Sequence, residues 1–256
     1  MFSARLNKKS IVYYFLLVCL LLWIILFEFV FPVNRILPKP SIVVLSLGDL
    51  WHIYNFGLNY LSTLLIIIFS IFSAYFIVWM FRIPLAGESN FVYVFITSAE
   101  WISNYIPGVI IGFLLIFWFP DFEFVDLIFA FSAALVSLVI KFKKEIKHVK
   151  PEYIDSVRSL GASKKFIAKK VIWKSIEPAL FNHLIELNFY LWTVLVFFEY
   201  IKGTHGLGSV LRLTIQFSDL SAFFTSLIII GVTIFFFVLL INLIKRKYFF
   251  WETEKD

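Results

Sequence analysis

The sequence predicts an all-α polytopic membrane protein of about six transmembrane helices, organised as a single domain over residues 1–256, and three observations predict it. Hydrophobic residues make up 61% and charged residues 16% of the 256 positions, with a mean hydropathy of +0.91. A water-soluble core of this size cannot hide that much apolar surface, so the solvent has to be lipid. The apolar residues fall in runs of roughly 20, the number a helix rising about 1.5 Å per residue needs to cross a hydrocarbon slab about 30 Å thick. The basic residues, finally, gather between and beyond these runs rather than within them.

The runs are taken in chain order. Residues 11–31 form the first, free of charge apart from Glu28 near its end, and too long for a removable signal peptide. Residues 61–81 and 223–244 are the second and sixth, both uncharged. The third, fourth and fifth runs, 101–119, 125–140 and 181–198, are shorter or carry polar groups: Asn104, Asp126 and Glu186. Such groups in a span face protein neighbours rather than lipid. Glu100 reads as a cap at the start of the third run, and Glu28, Asp126 and Glu199 read as solvated at membrane edges.

Orientation follows from Lys and Arg, which cytoplasmic loops retain. Arg5, Lys8 and Lys9 precede the first run, and Lys245, Arg246 and Lys247 follow the last; six crossings return both ends to one side, so both termini are expected in the cytoplasm. Eleven of the 23 basic residues lie in the segment 141–180 between the fourth and fifth runs, and parity places it on the same side. The net charge of +6 is then explained by a basic loop beside anionic lipid, not by nucleic acid. The lone Cys19 and the four scattered histidines, His52, His148, His183 and His205, form no disulfide framework and no metal-ligand spacing.

Segment 141–180 is the informative one. Ile154, Val157 and Leu160 recur every third residue before Gly161, and Ile167 and Val171 stand four apart after it, with lysines on the other face. That pattern predicts two short amphipathic helices joined by a glycine able to take the left-handed turn of a helix–turn–helix elbow.

The run Asp155-Ser156-Val157-Arg158-Ser159-Leu160-Gly161-Ala162-Ser163 resembles the EAA loop of ATP-binding-cassette (ABC) importer permeases, with Asp155 for the family's glutamate and Pro178 at its second proline. Leu37-Pro38-Lys39-Pro40-Ser41, Ile106-Pro107, Trp192, Glu199 and Gly206-Leu207-Gly208 are similar, in the same order, to positions of the nitrate, sulfonate and taurine subgroup. The resemblance implies a homodimer of permeases, each seated on a cytoplasmic ATP-binding subunit, with an extracytoplasmic solute-binding protein delivering cargo. It places Asp155, Ser156, Val157, Leu160, Gly161, Ala162, Ser163 and Pro178 in the coupling loop. Asn182, Glu186, Asn188 and Glu199 are candidates for the translocation path, the first three with helix-to-helix hydrogen bonding and Glu199 with solvation as the alternative role.

No G-x-x-x-x-G-K-[ST] phosphate cradle occurs, so the chain itself is expected to hold no cofactor and do no catalysis, ATP being bound by the partner subunit. A self-sufficient carrier or channel is disfavoured by the lack of an inverted repeat and of interrupted apolar segments. A membrane-embedded enzyme would need a paired histidine and carboxylate, or a nucleophile with a base at one depth, and none is evident.

Overall fold

The computed structural model describes residues 8–31, 37–86, 90–120 and 122–249, and every regular element among them is helical. Arg5 and the side chains of Lys8, Lys9 and Asn104 lie outside the described residues. In order, α1 (Lys8–Ile24) runs into a π-helical turn (Ile25–Val30), followed by α2 (Pro40–His52), α3 (Phe56–Met80), α4 (Arg82–Ala86), α5 (Asn90–Tyr105) and α6 (Gly108–Trp118). The chain continues with α7 (Val125–Ile146), α8 (Pro151–Ser159), α9 (Lys164–Phe166), a second π-helical turn (Ile167–Ile172), α10 (Trp173–Lys202), α11 (Leu207–Gln216) and α12 (Leu220–Tyr248).

Among the described residues four helices are long and apolar enough to cross a membrane: α3, α7, α12 and the continuous helix Lys164–Lys202 that joins α9, the second π turn and α10. The protein is thus a polytopic helical membrane protein. Large apolar side chains cover its outside, Leu58 and Leu45 at 75% exposure among them, as expected where the surrounding solvent is lipid.

The third run departs from its expected continuous span over 101–119. It breaks at Ile106-Pro107, and the flanking segments Ile96–Ser103 and Gly108–Trp118 meet at 98°. Pro107 has no N–H to donate, and its ring drives Ile106 out of the helical region, so α5 ends and α6 starts afresh with Pro107 as its N-cap. The chain therefore does carry an interrupted apolar segment, and a carrier is not disfavoured on that ground. The fourth and fifth runs are longer than expected, because the lysines at 141–144 and 164–174 extend the helices beyond their apolar parts. Two further elements, α2 and α11, correspond to no expected span.

The core is the triple contact of α3, α7 and α10. Its seam is made of small residues, Thr63, Ser70, Ala74, Ala130 and Ala134, all fully buried, which let the helices approach closely where no hydrophobic effect drives them together. Antiparallel α7 and α10 are in register from Asp126 beside Lys202, through stacked Phe129 and Phe198 at 4.6 Å, to Phe142 beside Trp173. Side α6 leans Gly108 on the Tyr190 hydroxyl and Gly112 on Phe129 and Phe198, a small-xxx-small face. Helix α12 is tied on by hydroxyls: Ser46 to Thr225 at 2.6 Å, Thr225 to the Val43 carbonyl at 2.9 Å, and Tyr60 to Thr233 at 2.9 Å.

Glu28 is not simply solvated. Its carboxylate accepts from the Ser41 hydroxyl at 2.9 Å and the Ser41 amide at 3.3 Å, capping the first turn of α2. Glu100 is no cap, since α5 begins at Asn90; it sits well inside α5 and pairs with Lys143 of α7 at 3.1 Å.

Candidate functional site

Three groups of side chains stand out, at the two ends and near the middle of the long helix Lys164–Lys202. At its C-terminal end Glu199 is fully buried. Thr63 of α3 lies 2.8 and 2.9 Å from its two oxygens, and the Gly208 amide donates at 3.0 Å. The same Thr63 hydroxyl accepts from the Leu207 amide, and Asn59 accepts from the Gly206 amide, both at 2.9 Å. The first turn of α11 is therefore satisfied by α3 and α10 rather than by water, which is what a helix start inside a membrane bundle requires. Gly206 takes φ +86, and a Cβ there would overlap the Glu199 carboxylate; a Cβ on Gly208 would overlap the Val196 carbonyl and the Tyr200 amide. Beside this clamp, buried Asp126 pairs with Lys202 at 3.1 Å and with His205. Solvation was expected for both Asp126 and Glu199, and neither is solvated: tertiary packing encloses them at 1% and 0% exposure.

At the N-terminal end, α8 and the long helix meet in a tight elbow. Gly161 has φ +80, and its amide bonds to the Arg158 carbonyl at 2.9 Å, closing α8 in the left-handed conformation that favours glycine. Ser163 caps the next helix, its hydroxyl accepting from the Phe166 amide at 3.3 Å. Asp155 lies within α8, exposed, and pairs with Arg158 at 3.3 Å. Ile154 and Val157 rest on the core, but Leu160 is 85% exposed because it follows the last turn of α8 and points away from the bundle. After the elbow, the π turn buries Ile167, Ala168, Ile172 and Trp173 at a spacing of five, leaving Val171 only partly buried.

Near the middle, His183 bridges two helices. Its Nδ1 lies 2.7 Å from a Glu186 oxygen and its Nε2 lies 2.9 Å from the Ser137 hydroxyl of α7. A serine, a histidine and a carboxylate do therefore share one depth, contrary to the sequence reading. The arrangement lacks what acyl chemistry would need, because Ser137 is mid-helix and the surrounding backbone amides are committed to the helical ladder, leaving no oxyanion donors.

A family model described as binding-protein-dependent transport system inner membrane component matches residues 83–249, from α4 through α12. The chain belongs to this family. No curated protein matches it. The match takes in the elbow, the His183 bridge and the α10–α11 side of the Glu199 clamp, whose Thr63 and Asn59 lie before it.

Within the permease, the residues expected on the translocation path divide. Asn182 and Glu186 lie on the open side of α10, together with Phe189, Tyr190, Thr193 and Phe197. Asn188 and Glu199 are on the opposite side, fully buried; Glu199 is taken up by the clamp, and both amide atoms of Asn188 lack a partner among the described residues. Of the coupling-loop residues, Asp155, Ser156, Leu160, Gly161 and Ser163 form the exposed elbow, Val157 and Ala162 are half-buried, and Pro178 is buried within α10. His183 was missed although the His183–Glu186 spacing of three puts both on one helix face, a signal legible in the sequence.

Proposed function

We propose that the permease is the membrane-spanning subunit of an ATP-driven importer, acting as a homodimer with a cytoplasmic ATP-binding subunit docked on the elbow and an extracytoplasmic protein delivering a small solute. Six crossings fit this reading: α1 with its π turn, α3, the bent pair α5 and α6, α7, the helix Lys164–Lys202, and α12. The observation that carries it is the elbow at the end of a helix too long for the membrane. Thirty-nine residues reach about 58 Å, nearly twice a hydrocarbon core of about 30 Å. The lysine-bearing third, with α8 beyond it, has to stand in water.

Charge supports the side. Phe249, just past the Lys245–Lys247 turn of α12, packs on Phe181 of α10 at 5.4 Å, so the basic C-terminal turn lies toward the elbow end of the bundle. Both basic features then face the cytoplasm, with the termini. Exposed Leu160, Tyr153 and Phe166 give a partner an apolar hold on an otherwise lysine-rich elbow. Work reaches the spans when nucleotide binds one arrangement of the ATP-binding pair more tightly than the other. Asn182 and Glu186 form part of the translocation wall, while Asn188 and Glu199 hold the packing behind it. Resemblance to the nitrate, sulfonate and taurine subgroup offers those solutes as cargo. An ATP-independent carrier would leave the exposed elbow without a role.

Gly161→Glu tests the coupling reading. A Cβ at Gly161 meets nothing within 4 Å, so the fold loses only backbone preference, about 1 kcal/mol. Membrane insertion is expected at the normal level, with co-purification of the ATP-binding subunit lost and uptake reduced at least about tenfold. Gly161→Asn, which tolerates the left-handed turn, is expected to retain both. Should the chain bind none of the ATP-binding subunits encoded beside it, or should Gly161→Glu transport normally, the elbow is not the transmission point.

A further inference from the structure

The cargo-facing wall carries the wrong charge for a simple oxyanion. We infer that the permease passes solutes bearing a cationic nitrogen, zwitterions included, and that Glu186 is the group that selects them; this rests on the proposed translocation role of the open face of α10.

The Glu186 side chain is 72% exposed, although its helix is among those long and apolar enough to cross the membrane. Along α10 Glu186 lies about 24 Å from the Lys202 end, past the midplane but still within a hydrocarbon core about 30 Å thick. A carboxylate at that depth is tolerated only where it faces water or protein, and such residues mark solute and ion pathways. It shares its stripe with Asn182 one turn before and Thr193 two turns after, both exposed, between the rings of Phe189, Tyr190 and Phe197.

The sign of this wall is set by its neighbours. Among the described residues His183 is the one basic side chain bonded to Glu186, and both of its nitrogens are engaged, one by Glu186 and one by Ser137. With His183 neutral the network carries one negative charge; with it protonated the network is neutral. In neither state does it offer an anion a positive partner. On the same helix the nearest lysines are Lys174, about 18 Å below Glu186, and Lys202, about 24 Å above it and already paired with Asp126. A nitrate or an alkyl sulfonate would meet a carboxylate whose bonded base, His183, is already engaged, whereas an ammonium or a protonated ring nitrogen would find a charge-assisted hydrogen bond. A two-fold partner copy would bring a second carboxylate to the passage and reinforce the preference.

Two reporter cysteines test this on the full chain in membranes with its ATP-binding subunit. Cys19, the only native cysteine, is first replaced by serine. Asn182→Cys and Thr193→Cys are then reacted with a cationic (trimethylammonium-ethyl) and an anionic (sulfonatoethyl) methanethiosulfonate, each rate normalised to a free small thiol. A unit charge about 6 Å away across a partly hydrated passage predicts a cationic preference of about tenfold or more at Asn182→Cys, smaller at Thr193→Cys. Glu186→Gln, which keeps the shape, is expected to abolish both preferences. Equal or faster reaction of the anionic reagent overturns the inference while leaving the path intact, and a preference that survives Glu186→Gln overturns the assignment to Glu186. Silence of both cysteines toward both reagents overturns the translocation-path reading itself, and the inference with it.

Discussion

Replacing Gly208 with alanine is expected to destabilise the chain by about 3 kcal/mol and to free α11 from its seat. The new methyl group would overlap the Val196 carbonyl and the Tyr200 amide of α10, which are backbone atoms of a regular helix and cannot swing aside as a side-chain end could. Relief requires α11 to back away, which would part the Gly208 amide from Glu199 and leave a buried carboxylate short of a donor. Gly231→Ala in α12 is the matched control. Its Cβ meets nothing within 4 Å, so alanine is expected to be neutral or to stabilise by up to about 1 kcal/mol through helix propensity. Unfolding of the purified chain in mixed micelles reads both; similar midpoints for the two variants would show that α11 is not clamped against α10.

Lys202→Met is the second large effect. Lys202 and Asp126 are buried to 6% and 1% side-chain exposure and lie 3.1 Å apart, so removing the cation strands an anion in a low-dielectric bundle. Breaking one partner of such a pair costs about 3–5 kcal/mol, and the lower figure applies because His205 still contacts Asp126. Adding Asp126→Leu to Lys202→Met removes both charges and is expected to restore most of the loss. A double variant as unstable as the sum of its singles would mean that the two side chains do not act as a pair.

Legibility in the sequence followed the range of the interactions. The apolar runs were readable because lipid sets the length of a crossing helix, and the elbow was readable because the apolar spacing stops at Gly161 and a capping serine follows two residues later. Pro107 carried the break in the third run in plain view, yet the residues after it are strongly apolar and hydropathy alone read through it. Glu199 and Asp126 could not be placed, since what makes them buried rather than solvated is Thr63, Asn59 and Lys202, contributed by helices distant in sequence. The spacing puts Leu160 and Val171 on the apolar faces of two short helices. The turn after α8 and the five-residue spacing of the π turn moved Leu160 out into solvent and left Val171 half-buried.

The long helix has uneven stiffness along its length. The π turn at Ile167–Ile172 and the missing N–H of Pro178 both interrupt the regular ladder, and both lie between the elbow and Leu180. From Leu180 to Lys202 the helix has neither proline nor π turn, and it is anchored at its far end by Asp126 and the α11 seat. A tug on the elbow would be absorbed first as bending below Leu180. Only its remainder would tilt the upper rod about that far anchor, carrying Glu186 sideways as on the arm of a metronome.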